Sequence, residues 1–166
     1  MSGDAGTTRT ITLERVYDVP IEDVWALWTT REGIESWWGP PGFSVAVDKI
    51  DVRPGGVLRY TMTATGPEQI AFLDGAGMPR SNELAVTYVD VDAPHRLEYS
   101  NHVDFVPGHG AYEAGTLVEL RLETDGRVRM TLTIDAMHDP EWTNRAVAGW
   151  QSELDKLDRL LLERNP

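Results

Sequence analysis

The chain has 166 residues, no cysteine, and 27 acidic against 15 basic side chains, which gives a formal net charge of −12. This length fits one domain, and the missing cysteines exclude disulfide frameworks, thiolate metal sites and cysteine nucleophiles. The acidic excess argues against nucleic acids and anionic membranes as partners, because their binding depends on lysine and arginine.

Neither the amino terminus nor the hydropathy of the chain suggests export or a membrane span. No segment approaches the roughly 20 apolar residues of a membrane span, and the polar start of the chain lacks the apolar core of a signal peptide. We therefore expect residues 1–8 to form a flexible polar tail, residues 9–166 to form a single domain, and the protein to be cytoplasmic.

The first 40 residues predict one strand and two short helices. Polar and apolar residues alternate over Arg9–Tyr17, which is typical of a half-buried strand. Pro20 and two acidic residues then begin a helix over Ile21–Trp28 with apolar residues at helical spacing. Thr30 can cap a second helix, Arg31–Trp38, which must end at the glycines and prolines that follow.

The middle of the chain changes to a period of two and predicts three hairpins. Their turns contain proline or glycine, and the Asp125-Gly126 pair is the strongest turn signal of the three. The six predicted strands are Phe43–Arg53, Val57–Ala64, Glu83–Val91, Arg96–Phe105, Thr116–Thr124 and Arg127–Ala136. With the first strand, they make seven antiparallel strands with one apolar face.

Two segments without a strand pattern interrupt this series, and one long helix follows it. We interpret Thr65–Asn82 and Val106–Gly115 as loops at the rim of a site, since loops of this length in a compact domain are usually functional or disordered. Asp139 and Pro140 provide a helix cap and a first helical residue, and a helix to about Arg164 carries one apolar stripe.

These elements predict an α+β fold in which a curved sheet wraps around the last helix. A sheet and a rod differ in curvature, so that large side chains must fill the gap between them or a cavity remains. The inferred inward positions are Tyr60, Met62, Tyr88, Tyr99, Asn101, Phe105 and Met130 on the sheet, with Trp142, Ala146 and Trp150 on the helix. Aromatic residues and methionines with a few polar atoms are typical of a small-molecule site, although an ordinary core has the same composition.

The order of five short motifs resembles a known superfamily. They are Val19-Pro20 with Val24-Trp25 and Trp28-Thr29, then Trp37-Trp38-Gly39-Pro40, then Asp51-x-Arg53-Pro54-Gly55-Gly56, then Ala93-Pro94-x-Arg96-Leu97, and finally Gly149-Trp150 with Leu154 and Leu157. This pattern, from about residue 9 to 163, is similar to the START-related helix-grip superfamily (SRPBCC). Within it, the chain resembles the branch of the carboxy-terminal domain of the heat-shock protein 90 ATPase activator. The resemblance implies the helix-grip fold, with seven antiparallel strands, two short helices after the first strand, and an elongated hydrophobic cavity.

Several further residues are candidates for ligand contacts. Trp38 and Trp142 lie near the ends of predicted helices, where an indole N–H can orient a polar ligand group, whereas Trp25 and Trp150 are expected to anchor their helices on the sheet. His138 stands just before the last helix and is a candidate rim contact, against the alternative of a solvated loop residue. Phe72, an isolated apolar residue of the first rim loop, is also a candidate.

Signals for catalysis or for a cofactor are weak in this chain. The four histidines lack the short spacing of a metal site, and the sequence contains no nucleophile elbow, phosphate loop or dinucleotide fingerprint. Asn101 is the one polar residue in an apolar register. If it points inward it needs a partner, which a ligand or a buried water would supply; otherwise a local bulge turns it outward. We expect neither metal nor cofactor, and no catalytic residue is predicted.

Three functional hypotheses follow. The first is a protein that binds a small apolar or aromatic molecule between the sheet and the last helix, with Asn101, Tyr60, Trp142 or His138 fixing its orientation. The second is an enzyme similar to the polyketide cyclases and aromatases of the superfamily, and the third is an activator of a chaperone ATPase. The named activator has an additional amino-terminal domain, for which this chain has no room. The sequence leaves a homodimer open.

Overall fold

The computed structural model describes residues 10–103 and 110–164, and it contains seven strands and four helices. In chain order, these are β1 (Thr10–Tyr17), α1 (Ile21–Thr29), α2 (Arg31–Trp37), β2 (Phe43–Ile50), β3 (Val57–Ala64), α3 (Pro67–Gly75), β4 (Ser81–Asp92), β5 (Arg96–Val103), β6 (Tyr112–Leu122), β7 (Val128–Asp135) and α4 (Pro140–Arg164). The predicted α+β helix-grip architecture is confirmed.

All seven strands form one antiparallel sheet in the order β1-β7-β6-β5-β4-β3-β2. The first two strands in the sequence are therefore its two edges, and α1 and α2 carry the chain from one edge to the other. The register shifts between Val47 and Lys49 in β2 and between Tyr88 and Asp90 in β4. Such irregularities bend a strand and increase its twist, which suits a sheet that curves around a helix.

The alternation in the strands places one face of the sheet against α4. In β7 the even-numbered apolar residues from Val128 to Ile134 are buried, and the residues between them are only partly buried. On α4, Leu154, Leu157 and Leu161 are buried at helical spacing and belong to the same core. The core therefore lies between the concave face of the sheet and the carboxy-terminal half of α4.

Side-chain acceptors begin two of the helices, as the sequence predicts. The Thr30 hydroxyl accepts a hydrogen bond from the N–H of Gly33 at 3.0 Å, and the Asp139 carboxylate accepts one from the N–H of Trp142 at 2.8 Å. Both bonds satisfy a backbone donor that has no partner within its helix. The second cap fixes the point at which α4 starts to cross the sheet.

The segment 65–82, expected to be a loop, contains the nine-residue helix α3 and the start of β4. Pro67 occupies the first turn of α3, where its missing N–H costs no hydrogen bond. The apolar residues of α3 do not form one stripe, since Leu73 is buried whereas Phe72 is 70% exposed. Without a periodic apolar face, the sequence lacked the signal from which a helix is predicted.

Candidate functional site

A cavity of about 200 Å³ opens between the sheet and the first half of α4. Residues from the end of α2, from β3 and β5, and from two turns of α4 line it: Trp38, Gly39, Tyr60, Met62, Tyr99, Asn101, Ala146, Gly149, Trp150 and Glu153. Seven of these ten were inferred from the sequence to face inward or to line a mouth; Gly39, Gly149 and Glu153 were not. The contact between rod and sheet is therefore incomplete at this end of α4.

Aromatic rings form most of the wall of the cavity. The ring of Trp38 lies 5.3 Å from that of Tyr60, nearly perpendicular to it, and 6.0 Å from that of Tyr99. Trp150 stacks on the buried Trp28 with 6.0 Å between the ring centres. These rings come from α1, β3, β5, α4 and the residue that follows α2, and their mutual contacts hold the wall in place.

Small residues on α4 leave the space open on the helix side. Ala146 and Gly149 lie one turn apart on the face of α4 that lines the cavity. A Cβ atom at Gly149 would have no heavy atom within 4 Å. A glycine within a helix costs about 1 kcal/mol of stability relative to alanine, and here it leaves room beside the aromatic wall.

Glu153 is the charged side chain of the cavity, and its surroundings change its acidity. Burial raises the pKa of its carboxyl group from 4.5 to about 7, against the opposing effects of the Gly39 N–H and Lys156. One oxygen, Oε1, accepts the hydrogen bond of the Gly39 N–H at 3.0 Å. The second oxygen accepts no hydrogen bond from the described residues, so that it is available to a ligand.

Lys156 holds the other side of the same glycine. Its Nζ donates a hydrogen bond to the carbonyl oxygen of Gly39 at 2.9 Å. Desolvation lowers the pKa of Lys156, and the negative charge of Glu153 opposes that effect. Gly39 has a φ of +92°, a conformation that favours glycine, and it is bound through both backbone groups to one turn of α4.

Asn101 points into the cavity region from β5 with its amide nitrogen already engaged. Its Nδ2 donates to the carbonyl oxygen of Ala114 at 3.0 Å and to the hydroxyl of Thr116 at 2.8 Å. A backbone carbonyl can only accept, so the orientation of the amide group is fixed. Its remaining polar atom is the carbonyl oxygen Oδ1, which is an acceptor.

Three buried polar atoms near the cavity have no hydrogen-bond partner among the described residues: Trp38 Nε1, Tyr88 Oη and Tyr99 Oη. Burial raises the pKa of Tyr88 and Tyr99. Burial and then the charge of Glu153 raise the pKa of Tyr60. The three phenols therefore remain protonated and neutral near pH 7.

Five of the described residues that were predicted as ligand contacts do not line this cavity. Phe72 is exposed on α3, and Tyr88 and Met130 are buried in the core, where Met130 Sδ accepts a hydrogen bond from Trp28 Nε1 at 3.3 Å. His138 and Trp142 lie at the start of α4, with 5.9 Å between their rings. Phe105 lies outside the described residues.

His138 instead belongs to a separate group of side chains beside β6. Its Nδ1 is 3.0 Å from the hydroxyl of Tyr112, and its Nε2 is 3.5 Å from the carboxylate of Asp139. The guanidinium of Arg145 lies 5.1 Å from the ring centre of Trp142, in the range of a cation–π contact. These contacts join the beginning of α4 to the sheet.

A second depression, of about 350 Å³, lies where β1 meets the end of α4. Three of its polar side chains are already paired with one another: the Tyr17 hydroxyl donates to Asp158 at 2.7 Å, and Arg15 Nε donates to the same carboxylate at 3.3 Å. The interior of the aromatic cavity, by contrast, retains unpaired acceptors. We therefore take the aromatic cavity as the candidate site.

Gly149 and Glu153 were not predicted from the sequence, although both lie on the helix face that lines the cavity. Glu153 follows Gly149 by four positions and Trp150 by three, which places all three on one helix face. A carboxylate at such a position is usually solvated. The one signal for a different role is that Glu153 lies outside the stripe formed by Leu154, Leu157 and Leu161. The interior glycine of α4 was the other available signal, because it opposes helix formation without an evident local reason.

The described residues contain neither a metal-binding cluster nor a membrane-crossing helix. Within residues 10–103 and 110–164, no group of three or more histidine, aspartate or glutamate side chains could hold a metal ion. None of the helices in the described part of the chain is both long and apolar enough to cross a membrane.

Comparisons with known proteins agree with this architecture. The family model for AHSA1, activator of Hsp90 ATPase homolog 1-like protein, matches residues 18–162. The search of curated proteins gave no significant match.

Solved structures share the fold at low sequence identity. The AHSA1 protein from Silicibacter pomeroyi is 20% identical, with a TM-score of 0.73, and the match covers 95% of this chain and 100% of that one. A protein from Chromobacterium violaceum is 22% identical, with a TM-score of 0.72, over 92% of this chain and 96% of the other. A protein from Mycobacterium smegmatis is also 22% identical, with a TM-score of 0.70, over 95% and 94% of the two chains. TM-scores of this size establish a common fold.

Proposed function

The chain belongs to the family of activator of Hsp90 ATPase homolog 1-like proteins, and from this premise we propose that it binds a small, largely aromatic molecule in the cavity between the sheet and α4. One observation carries the proposal. Beside an aromatic wall that is already in place, α4 presents Ala146 and Gly149 and leaves the space between them and the rings empty.

The size of the cavity limits the ligand. A cavity of about 150 Å³ is enough for benzene in an engineered apolar site. At about 200 Å³, this cavity suits one substituted aromatic ring or a pair of fused rings. Removal of apolar surface from water supplies most of the affinity, at about 25 cal/mol per Å².

Indole is a suitable first probe, because it is flat, aromatic and uncharged. In a titration followed by NMR, we expect saturable shifts of the side-chain N–H signals of Trp38 and Trp150. Gly149→Leu should abolish these shifts, since the new side chain occupies the open space at this position. Gly75→Leu is the matched control, because Gly75 is also exposed to open space in a helix but lies outside the cavity.

The contrary results are equally clear. Non-saturable shifts spread over all six tryptophans would contradict a defined site. The same conclusion would follow if indole bound the folded Gly149→Leu variant as tightly as the unchanged protein.

A second candidate function is an acid–base enzyme similar to polyketide cyclases and aromatases, and Glu153 is the observation that favours it. A carboxyl group with a pKa of about 7 can both accept and return a proton near neutral pH. The cavity volume restricts such a substrate to a short chain that closes one ring. Turnover of a short β-keto thioester analogue that is lost in Glu153→Gln would support the enzyme; binding without turnover supports the binding protein.

A further inference from the structure

Two lining residues, Asn101 and Glu153, retain an acceptor for a ligand, whereas the unpartnered donors Trp38 Nε1 and Tyr99 Oη are buried in the wall. Asn101 has used both amide hydrogens and retains Oδ1, and Glu153 retains one carboxylate oxygen. Tyr60 adds a neutral hydroxyl group, which can also accept. A ligand that satisfies this set must bring hydrogen-bond donors.

The aromatic wall adds an attraction for positive charge. Trp38, Tyr60 and Trp150 line the same space as the carboxylate of Glu153. The faces of such rings attract cations within about 6 Å, and aromatic enclosures are used to recognise ammonium groups. Rings and carboxylate together match a group that is cationic at one end and apolar at the other.

Basic side chains do not compete for this position within the described residues that line the cavity. Lys156, the nearby cation on α4, is hydrogen-bonded to the carbonyl oxygen of Gly39. The net charge of −12 also favours the approach of cations over that of anions.

We propose, on the basis of the binding function above, that the cavity takes an arylalkylammonium ion, with its ring among Trp38, Tyr60 and Trp150 and its ammonium group at Glu153 and Asn101. A primary ammonium group has three donors and no acceptor, which fits these acceptors. A carboxylate ligand would meet Glu153 with the same sign of charge and is rejected.

Binding of such a cation is linked to the ionisation of Glu153. In the free protein the pKa of this carboxyl group is about 7, and a bound ammonium ion would lower it. The other titratable groups that face it are Tyr60 from β3, Tyr99 from β5 and Lys156 from α4, and burial raises the pKa of both phenols further from neutrality. Affinity for the cation should therefore rise with pH by about tenfold between about pH 6 and about pH 8.

The test compares ligands that share a phenyl ring and a short chain: phenethylamine, phenethyl alcohol and hydrocinnamate. Calorimetry at about pH 8 should show phenethylamine binding about tenfold or more tighter than the alcohol, with no measurable binding of the anion. At about pH 6 this preference should shrink. In Glu153→Gln the amine should bind no better than the alcohol at either pH, whereas Glu163→Gln, an exposed change on the same helix, should behave like the unchanged protein.

The outcomes separate this inference from the binding function on which it rests. Equal affinity for amine and alcohol overturns the ammonium proposal and leaves an aromatic-binding cavity. Absence of amine binding also overturns it, and the indole titration then decides whether the cavity binds aromatic ligands at all. If Glu153→Gln retains the preference for the amine, the charge is recognised elsewhere and the assignment of Glu153 is wrong.

Discussion

The carboxylate of Glu153 accepts a hydrogen bond from the backbone N–H of Gly39 at 3.0 Å, which joins the middle of α4 to the segment between α2 and β2. Burial keeps this carboxyl group close to half protonated near neutral pH. The same side chain therefore influences stability, pH dependence and the chemistry of the cavity.

Glu153→Gln should stabilise the protein at neutral and alkaline pH. The pKa of this group is raised from 4.5 to about 7 on folding, so the folded state binds the proton more tightly and loses stability as the pH rises through this interval. Glutamine remains neutral and avoids that loss, which amounts to about 1–3 kcal/mol. Urea unfolding between about pH 5 and about pH 8 should show a difference that grows with pH and then levels off. A difference that is constant with pH, or that matches that of Glu163→Gln, would contradict the burial of this charge.

Gly149→Ala should raise the unfolding free energy by about 1 kcal/mol, because alanine is the better helix former and its Cβ meets open space. The expected increase in Tm is about 2–4 °C for a chain of this size. Gly33→Ala is the informative contrast, since a Cβ there would lie 2.4 Å from the carbonyl oxygen of Ala26. Thermal unfolding should therefore shift in opposite directions for the two variants.

Trp37→Phe should destabilise the protein by about 1–2 kcal/mol more than Trp38→Phe. Both indoles are buried, but Trp37 Nε1 donates to the carbonyl oxygen of Leu27 at 2.7 Å, whereas Trp38 Nε1 has no partner among the described residues. The first change leaves one of the last carbonyls of α1 unsatisfied, and the second removes a donor that was already unsatisfied. Equal losses in denaturant titrations would show that the indole of Trp38 is hydrogen-bonded in solution.

Asp139→Ala should cost about 1 kcal/mol, because the N–H of Trp142 loses its acceptor at the start of α4. Asp139→Asn keeps an acceptor at the same place and should retain most of the stability. Chemical unfolding of the two variants provides the comparison, and equal losses would assign the effect to the charge of the residue instead of to the cap.

The strands and the ends of the helices could be predicted because they depend on local signals. Alternation in β3 and β5 predicted that Tyr60 and Asn101 lie on the inner face, and both residues line the cavity. Alternation in β7 likewise selected Met130, which is fully buried in the core. Periodicity identifies a face of the sheet, but it does not show where along that face the helix and the sheet separate.

The role of Glu153 could not be predicted from a local sequence pattern. Its acidity depends on a bond to a residue 114 positions away in the sequence and on burial in a cavity whose wall comes from several elements. No local pattern contains this information. The α3 helix was missed for a simpler reason, because its apolar residues do not share one face.

Gly39 is held at its N–H by Glu153 and at its carbonyl by Lys156, three positions apart on α4. Widening the cavity on this side consequently requires either the rupture of both bonds or a joint displacement of the helix and this segment. A substitution at Lys156 would therefore reach the cavity wall through Gly39, even though the Lys156 side chain lies outside the cavity lining.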